Sequence, residues 1–430
     1  MHSPDETGGS RTRVRVVIVN RYFFPDLSAT SQMATDVAWH LVISGHDVHV
    51  ITSRQRYDDA KARLPAFETS GGVTTHRVAT TRFGRAGLLG RLIDYASFYV
   101  AATIAALRVV KKGSIVIAKT DPPLISVPMA AVAKLKGARL VNWLQDVFPE
   151  IAEHLGVGGR ISRLAMPVLR KLRNASLLTA AHNVVVGEQM KRRVATAGAP
   201  LSSIRVIPNW ADGRLIVPVA SEQNRLRKEW ALGDRFVVGY SGNLGRAHEI
   251  DAMVNAMAHV ARHSASADIA WLFIGGGKQY DALRQEVARR AIPGILFKPY
   301  QPRERLAESL SAADVHLVSL RPELEGLIVP SKYYGIAAAG RPAIFIGDRD
   351  GEIASKIAAS GGGVTVPSGD GEALARAILV YAADREGARE AGRAARRSFD
   401  ADDDLTVAMK RWSAVVADVA DRQGATAGSP

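Results

Sequence analysis

No cysteine occurs anywhere in the 430 residues, so disulfides, thiolate catalysis and cysteine-bound zinc are excluded. The 11 histidines are scattered without metal-ligand spacing. The one dense aspartate run, Asp402-Asp403-Asp404, precedes a helical segment whose N-terminus it would stabilise. Neither a metal nor a cofactor is expected. Aromatic residues are only 6% of the chain and are not interleaved with basic ones, and no nucleic-acid-binding module is recognisable. The loop after the first strand lacks a G-x-G-x-x-G dinucleotide fingerprint. Met1 to Arg13 is polar and has no apolar core of the secretory-signal kind, which fits the cytoplasm.

What is present is length and positive charge. A chain of 430 residues suits two domains of roughly 200 residues each. Lys plus Arg total 56 against 42 Asp plus Glu, a net charge of +14. That balance favours anionic partners: nucleic acid, an anionic membrane surface or phosphorylated substrates.

Taken in order, Val14–Asn20 is a β-branched run of the kind buried in a parallel sheet. A loop through Asp26, a helical pattern over Ser31–Ser44 and a strand at Val48–Thr52 follow, the opening of a doubly wound α/β fold. Arg21, Ser28, Thr30 and Ser31 could meet an anion where the loop enters the helix. Tyr95–Leu107 is uncharged for 13 residues between basic flanks, short of the roughly 18–20 needed to span a bilayer. It reads either as a buried helix or as a helix in the membrane interface. A second basic amphipathic stretch covers residues 160–173. Asp146 comes just past the strand Arg139–Leu144, where open α/β sheets bind ligands. It either orients or deprotonates a hydroxyl, or caps a helix.

A second alternation begins at Phe236–Tyr240. Gly242, Asn243, Gly245, Gly275 and Gly276 would let backbone approach a ligand, with Arg246 and His248 nearby as phosphate contacts. The most informative stretch is residues 323–342. Pro330 and Ser331 start a helix, Lys332 lies in its first turn, and Gly340 and Pro342 end it. Lysine there opposes the helix dipole, so a bound anion would explain it. Glu325, slightly earlier, is placed to accept from sugar hydroxyls.

In order and spacing the chain resembles the retaining glycosyltransferases of family 4, in the branch that builds bacterial colanic acid, O-antigen and capsule sugars. The residues carrying the likeness are Phe24-Pro25-Asp26, Asp121-Pro122-Pro123, Gln145-Asp146 through Glu150, Ile207-Pro208-Asn209-Trp210, Gly242–Gly245, Gly275–Gly277, Val329–Tyr334 and Ala338–Pro342. The resemblance implies a GT-B fold: two facing Rossmann-like, doubly wound α/β domains with a C-terminal helix crossing back. Residues 14–205, joined by a returning helix over 400–420, would present the acceptor. Residues 206–395 would hold a nucleotide-sugar donor, and 1–13 and 422–430 would be disordered tails. Catalytic roles then fall to Asp146, Lys332 and Glu325. The donor would meet the glycine loops, Arg246, and Leu327, Ile328, Val329, Pro330, Ser331, Lys332 and Tyr333. The acceptor side would include Phe24, Pro25, Thr30, Ser31, Asp121 and Glu150. Where the family carries two spaced glutamates, this chain has Leu327 and Gly335, so Glu325 would serve for the first.

The expected activity is metal-independent transfer of a sugar to a hydroxyl of a glycan or lipid-linked acceptor, at an anionic membrane surface on the cytosolic side. A non-hydrolysing nucleotide-sugar 2-epimerase on the same fold and a basic nucleic-acid-binding protein are the rivals, the latter disfavoured because its charge is spread over both domains.

Overall fold

The computed structural model describes residues 13–427 apart from 60, 84–86, 157–158 and 264–267. The side chains of 88, 159–164 and 423–427 also lie outside the described part, as do residues 1–12 and 428–430 of the expected tails 1–13 and 422–430.

The first sheet holds β1 (Arg15–Val19), β2 (Asp47–Ser53), β3 (Phe67–Ser70), β4 (Val73–Val78), β5 (Ile115–Lys119), β6 (Arg139–Trp143), β7 (His182–Val185) and β8 (Ile204–Val206). Their order is β3-β4-β2-β1-β5-β6-β7-β8, with β3 the antiparallel edge. The second sheet holds β9 (Phe236–Asn243), β10 (Ile269–Gly276), β11 (Ile295–Lys298), β12 (Val315–Ser319), β13 (Ala343–Ile346) and β14 (Gly363–Val366), in the order β11-β10-β9-β12-β13-β14. Strand order reverses between β1 and β5 in one sheet and between β9 and β12 in the other. Such switch points open crevices beyond the carboxyl ends of the strands.

Helices α1 (Ala29–Ile43), α2 (Leu88–Val109), α3 (Ser126–Lys136), α4 (Glu150–His154), α5 (Gly159–Thr179) and α6 (Glu188–Thr196) accompany the first sheet. Helices α7 (Arg225–Glu229), α8 (Asp251–Ala261), α9 (Tyr280–Arg289), α10 (Leu306–Ser311), α11 (Lys332–Ala338), α12 (Glu352–Ser360), α13 (Gly371–Ala383) and α14 (Arg385–Asp402) accompany the second. The last, α15 (Leu405–Ala427), returns to the first. It runs past residue 421, where the sequence reading expected a disordered tail.

The β1 run explains its own burial. Val16 and Ile18 face a core shared with Val37 and Leu41 of α1 and with Trp412 and Val416 of α15. Val17 and Val19 face the opposite core, with Phe98 and Ala102 of α2 and Met129 of α3. A third cluster is continuous across the domain boundary, joining Val186 and Met190 to Leu327, Tyr334 and Ile353.

Helix α2 resolves the two readings of the uncharged stretch into one helix with two faces. Phe98, Ala102 and Ala106 are fully buried against the sheet, whereas Leu89, Leu92, Val100 and Ile104 are exposed, Leu89 at 72% and Val100 at 62%. Its Leu89–Val109 portion, mean hydropathy 1.4, is long and apolar enough to cross a membrane by length and composition. Its buried Asp94 is instead committed to the fold: it pairs with Arg21 at 3.6 Å and accepts from Thr81 Oγ1 at 2.6 Å.

Candidate functional site

On the second-sheet side, β9 runs into the loop Leu244–Ile250 at the switch point, and α11 closes from across. Lys332, the first residue of α11, reaches back to β9. Its Nζ donates to Tyr240 Oη and lies 3.3 Å from His248 Nε2, 3.5 Å from the Asn243 carbonyl and 4.1 Å from the Tyr240 ring centroid. His248 Nδ1 sits 2.7 Å from the Ser319 carbonyl, which only accepts, so Nδ1 carries the proton and Nε2 faces the lysine as an acceptor. Tyr240 Oη donates to the Asn243 carbonyl at 3.1 Å, leaving its oxygen for the lysine. All three partners of the amine are neutral. Burial lowers the Lys332 pKa to about 7, and burial with the neighbouring lysine lowers that of His248 to about 3.

The helix itself offers less than the sequence reading expected. It has seven residues and no side-chain cap, and the Tyr333 and Tyr334 amides already bond to the Pro330 and Ser331 carbonyls. The positive charge available there is the lysine. Leu327, Val329, Pro330 and Tyr333 are buried and Ser331 is exposed, so the first four can offer a ligand only backbone. Gly335 faces Leu310, 3.3 Å from where a Cβ would stand, so a glutamate there would point into apolar packing.

The glycines divide by cause. A Cβ on Gly242 would have only Lys332 Cε near it, at 3.8 Å, and this glycine adopts φ 124°. A Cβ on Gly275 would stand 2.3 Å from the Gly242 carbonyl oxygen and one on Gly277 2.4 Å from Asn243 Oδ1. Those two glycines are required by the protein's own strands rather than by a ligand. Arg246 is exposed on the loop, beside Gly245.

On the first-sheet side, Asp146 follows β6 and sits at the domain contact. Its backbone bridges Ile328, and the Val147 amide donates to the Leu327 carbonyl at 2.9 Å. Asp146 Oδ1 is buried without a partner among the described residues. Burial, with Asp121 nearby, raises its pKa to about 7, opposed by Lys119. The expected acceptor residues do not gather around it as one set. Phe24, after which comes a cis peptide to Pro25, lies 5.5 Å from the Trp39 ring. Thr30 is half-buried at the start of α1. Ser31 is fully buried and donates to the Asp26 carbonyl at 3.0 Å, so it cannot meet an anion. Asp121 stays in the crevice, its carbonyl accepting from the Arg21 amide at 2.6 Å. Glu150 is bound by Arg173 at 2.6 Å and lines an interdomain cavity of about 710 Å³ with Val147, Arg170, Arg193, Glu325 and Asp350.

Glu325 also departs from expectation. Its Oε1 accepts from the Glu352 amide at 2.8 Å, capping α12 instead of standing free for sugar hydroxyls. The sequence reading missed Lys119, the last residue of β5. It is fully buried, lies 3.4 Å from the Trp143 ring centroid, and its Nζ has no hydrogen-bond partner among the described residues. Burial pushes its pKa well down, with Asp121 and Asp146 opposing. A lysine ending an otherwise apolar strand was the available signal. Among the described residues no group of His, Asp and Glu gathers that could hold a metal ion.

Family models match both halves: a glycosyl transferase 4-like domain over residues 29–210 and a glycosyl transferases group 1 domain over 235–384. The chain belongs to the GT-B glycosyltransferases, related to family 4. This transferase is 30% identical to the probable glycosyltransferase WbjE of Pseudomonas aeruginosa over 270 residues, 62% of this chain and 66% of that protein. It is 24% identical over 359 residues to the putative colanic acid biosynthesis glycosyl transferase WcaI of Escherichia coli K12, covering 79% of this chain and 85% of that one. In fold it matches sucrose-phosphate synthase from Thermosynechococcus elongatus with a TM-score of 0.74 at 17% identity, over 97% of this chain and 100% of that one. Anabaena Alr3699/HepE in complex with UDP and glucose gives a TM-score of 0.69 at 15% identity, over 94% and 100%.

Proposed function

We propose that the transferase moves a sugar from a nucleoside diphosphate sugar to a hydroxyl of a lipid-linked glycan acceptor, with retention at the anomeric carbon, in the synthesis of a bacterial surface polysaccharide. The observation that carries this reading is Lys332, a half-buried amine at the donor-side switch point whose partners are all neutral. A diphosphate placed beside it supplies the missing counter-charge. As the bond to the sugar breaks, charge grows on the departing diphosphate, and Lys332 with Arg246 stabilises it without a metal. Asp146, with a pKa raised to about 7, is tuned to accept a proton from the acceptor hydroxyl. WbjE and WcaI, by their names, support the glycosyltransferase class and a place in polysaccharide synthesis.

The exposed apolar stripe of α2 and the exposed Val168 and Leu172 beside Arg170 and Lys171 on α5 support peripheral attachment to an anionic membrane surface. That location would bring a lipid-linked acceptor to the cleft. The test is a panel of nucleotide sugars screened by thermal shift, followed by transfer assays on membrane extracts with the donor that stabilises selectively. Release of free epimerised donor without any transfer would replace this reading with that of an epimerase.

A further inference from the structure

Helices α6 and α12 each follow a glycine at the N-cap, and each is capped by a carboxylate from another part of the chain. Gly351 precedes α12 and Gly187 precedes α6, and neither helix has a side-chain cap of its own. Glu325 supplies the first cap, its Oε1 accepting from the Glu352 amide at 2.8 Å. A Cβ on Gly351 would stand 2.6 Å from Glu325 Oε2. Glu352, the first residue of α12, supplies the second. Its Oε2 accepts from the Gln189 amide at 3.1 Å, and the Glu188 amide bonds to the same carboxylate. A Cβ on Gly187 would stand 2.4 Å from Glu352 Cδ.

The two caps form a chain that crosses the molecule. Glu325 and Glu352 belong to the donor-side domain, while Gly187, Glu188 and Gln189 belong to the acceptor-side domain. Further contacts cluster at the same seam. Gln189 Nε2 donates to the Asp350 carbonyl at 2.6 Å, and Arg193 donates to the Glu325 carbonyl at 3.3 Å. Gly326 and Leu327 follow Glu325, and the Leu327 carbonyl takes the Val147 amide beside Asp146. The carboxylate that caps α12, that of Glu325, therefore belongs to the stretch of chain that meets Asp146, and Glu352 is tied to that stretch through the first amide of α12.

We propose that Glu352 is a positioning residue for the transfer reaction: seated on the N-terminus of α6, it holds the two domains at the separation that brings Asp146 and the donor loop together. Glu325 fixes the start of α12 and so aims Glu352. The seat needs a bare Gly187, because any side chain there occupies the space the carboxylate fills. This inference rests on the two-substrate cleft proposed above, since a protein acting on one substrate in one domain gains nothing from the seat. A reacting hydroxyl displaced by about 1 Å loses on the order of 10²-fold in rate, so a cap that sets domain separation acts on kcat rather than on nucleotide affinity.

The experiment compares wild type with Glu352→Ala, Glu352→Gln and Gly187→Ala, all in the full chain. Small-angle scattering without substrate reads the seat directly. Glu352→Ala and Gly187→Ala should give a larger radius of gyration than wild type, and Glu352→Gln, whose amide oxygen still accepts, should stay close to wild type. With the donor identified by the panel, kcat should fall by roughly 10-fold or more for the first two. Binding of GDP and UDP by calorimetry should stay within about twofold, the scatter of an independent site. Circular dichroism melting separates misfolding from opening; if Gly187→Ala does not fold, Glu352→Ala carries the test, with Glu352→Gln as the variant expected to keep wild-type scattering and kcat. Wild-type scattering and wild-type kcat for Glu352→Ala and Gly187→Ala would overturn the proposal. Failure of every nucleotide sugar to bind wild type would overturn the donor-site reading instead, while the scattering result would still decide whether the seat holds the domains.

Discussion

The two sides of the cleft handle buried charge in opposite ways. On the acceptor side, the ionised groups have largely found one another: Arg21 with Asp94, Arg173 with Glu150, and Arg77 with Glu68. Lys119 Nζ and Asp146 Oδ1 have no hydrogen-bond partner there among the described residues, yet each group opposes the other's shift and Asp121 stands near both. On the donor side, Lys332 faces a phenol, an imidazole and a carbonyl, and no carboxylate among the described residues. A site balanced within itself is built to hold its shape, and a site left unbalanced is built to be completed by what binds. In the function proposed above, that difference assigns the anionic donor to the Lys332 side more specifically than the net charge of +14 does.

The comparison can be broken by mutation. Asp146→Asn keeps size and shape while removing the proton acceptor, so turnover should fall by roughly 10²-fold, the lower bound for a lost general base. Steady-state kinetics at pH 7.5 reads this, and near-wild-type turnover would return Asp146 to a purely architectural place at the domain contact. Lys332→Ala is the next largest. Loss of a charge-assisted contact costs about 1.5–3 kcal/mol, or roughly 10- to 150-fold in nucleoside diphosphate affinity. Unchanged binding by calorimetry would mean that the anion sits elsewhere.

The pH dependence of the same lysine sharpens the contrast. With the Lys332 pKa lowered to about 7 in the folded protein, the amine is charged below that pH and neutral above it. Nucleotide affinity should therefore weaken as pH rises from 6.5 to 8.5, by up to about tenfold per unit above the pKa. Stability of the ligand-free protein should move the other way. The unfolded chain holds this proton up to about pH 10.4, so between 7 and 10 it binds more protons than the folded one, and this group's contribution to stability rises with pH. Affinity independent of pH across that range would show that the lysine keeps its charge throughout.

The smallest effect belongs to Glu325. Glu325→Ala should cost about 0.5–2 kcal/mol of stability, as loss of a helix N-cap does, without changing which donor sugar is preferred. Denaturant midpoints and a donor competition assay read the two halves. A switch in sugar preference would restore the sugar-hydroxyl role that the sequence suggested.

Those outcomes also mark how far the sequence could be followed. The β-branched run of β1, the glycine loops after β9 and β10 and the Pro-Ser-Lys turn before α11 were legible because each is a local pattern. The β3–β4 hairpin is not legible although Ser70-Gly71-Gly72 is a turn signal, because its strands are mostly polar, with only Phe67, Val73 and Val78 apolar. Glu325, Ser31 and Glu150 were placed near substrate by position along the chain. Their partners, Glu352, Asp26 and Arg173, lie 27, 5 and 23 residues away, and no local pattern announces such pairings. The sequence does not separate the two faces of α2, because its apolar residues go nearly all the way round.

The return of α15 has a consequence for how the chain matures on the ribosome. Ala408, Met409, Trp412, Val415, Val416 and Val419 complete the core around β1 and α1, so that face stays open until nearly the whole chain has emerged. The second sheet and its helices lie between Arg225 and Asp402, and their core around Val238, Phe273 and Leu317 takes no residue from α15. The domain encoded second is thus free to finish first. Until Trp412 leaves the exit tunnel, the earlier domain presents an apolar face to the cytosol, and a truncation before that residue would leave it to chaperones and proteases.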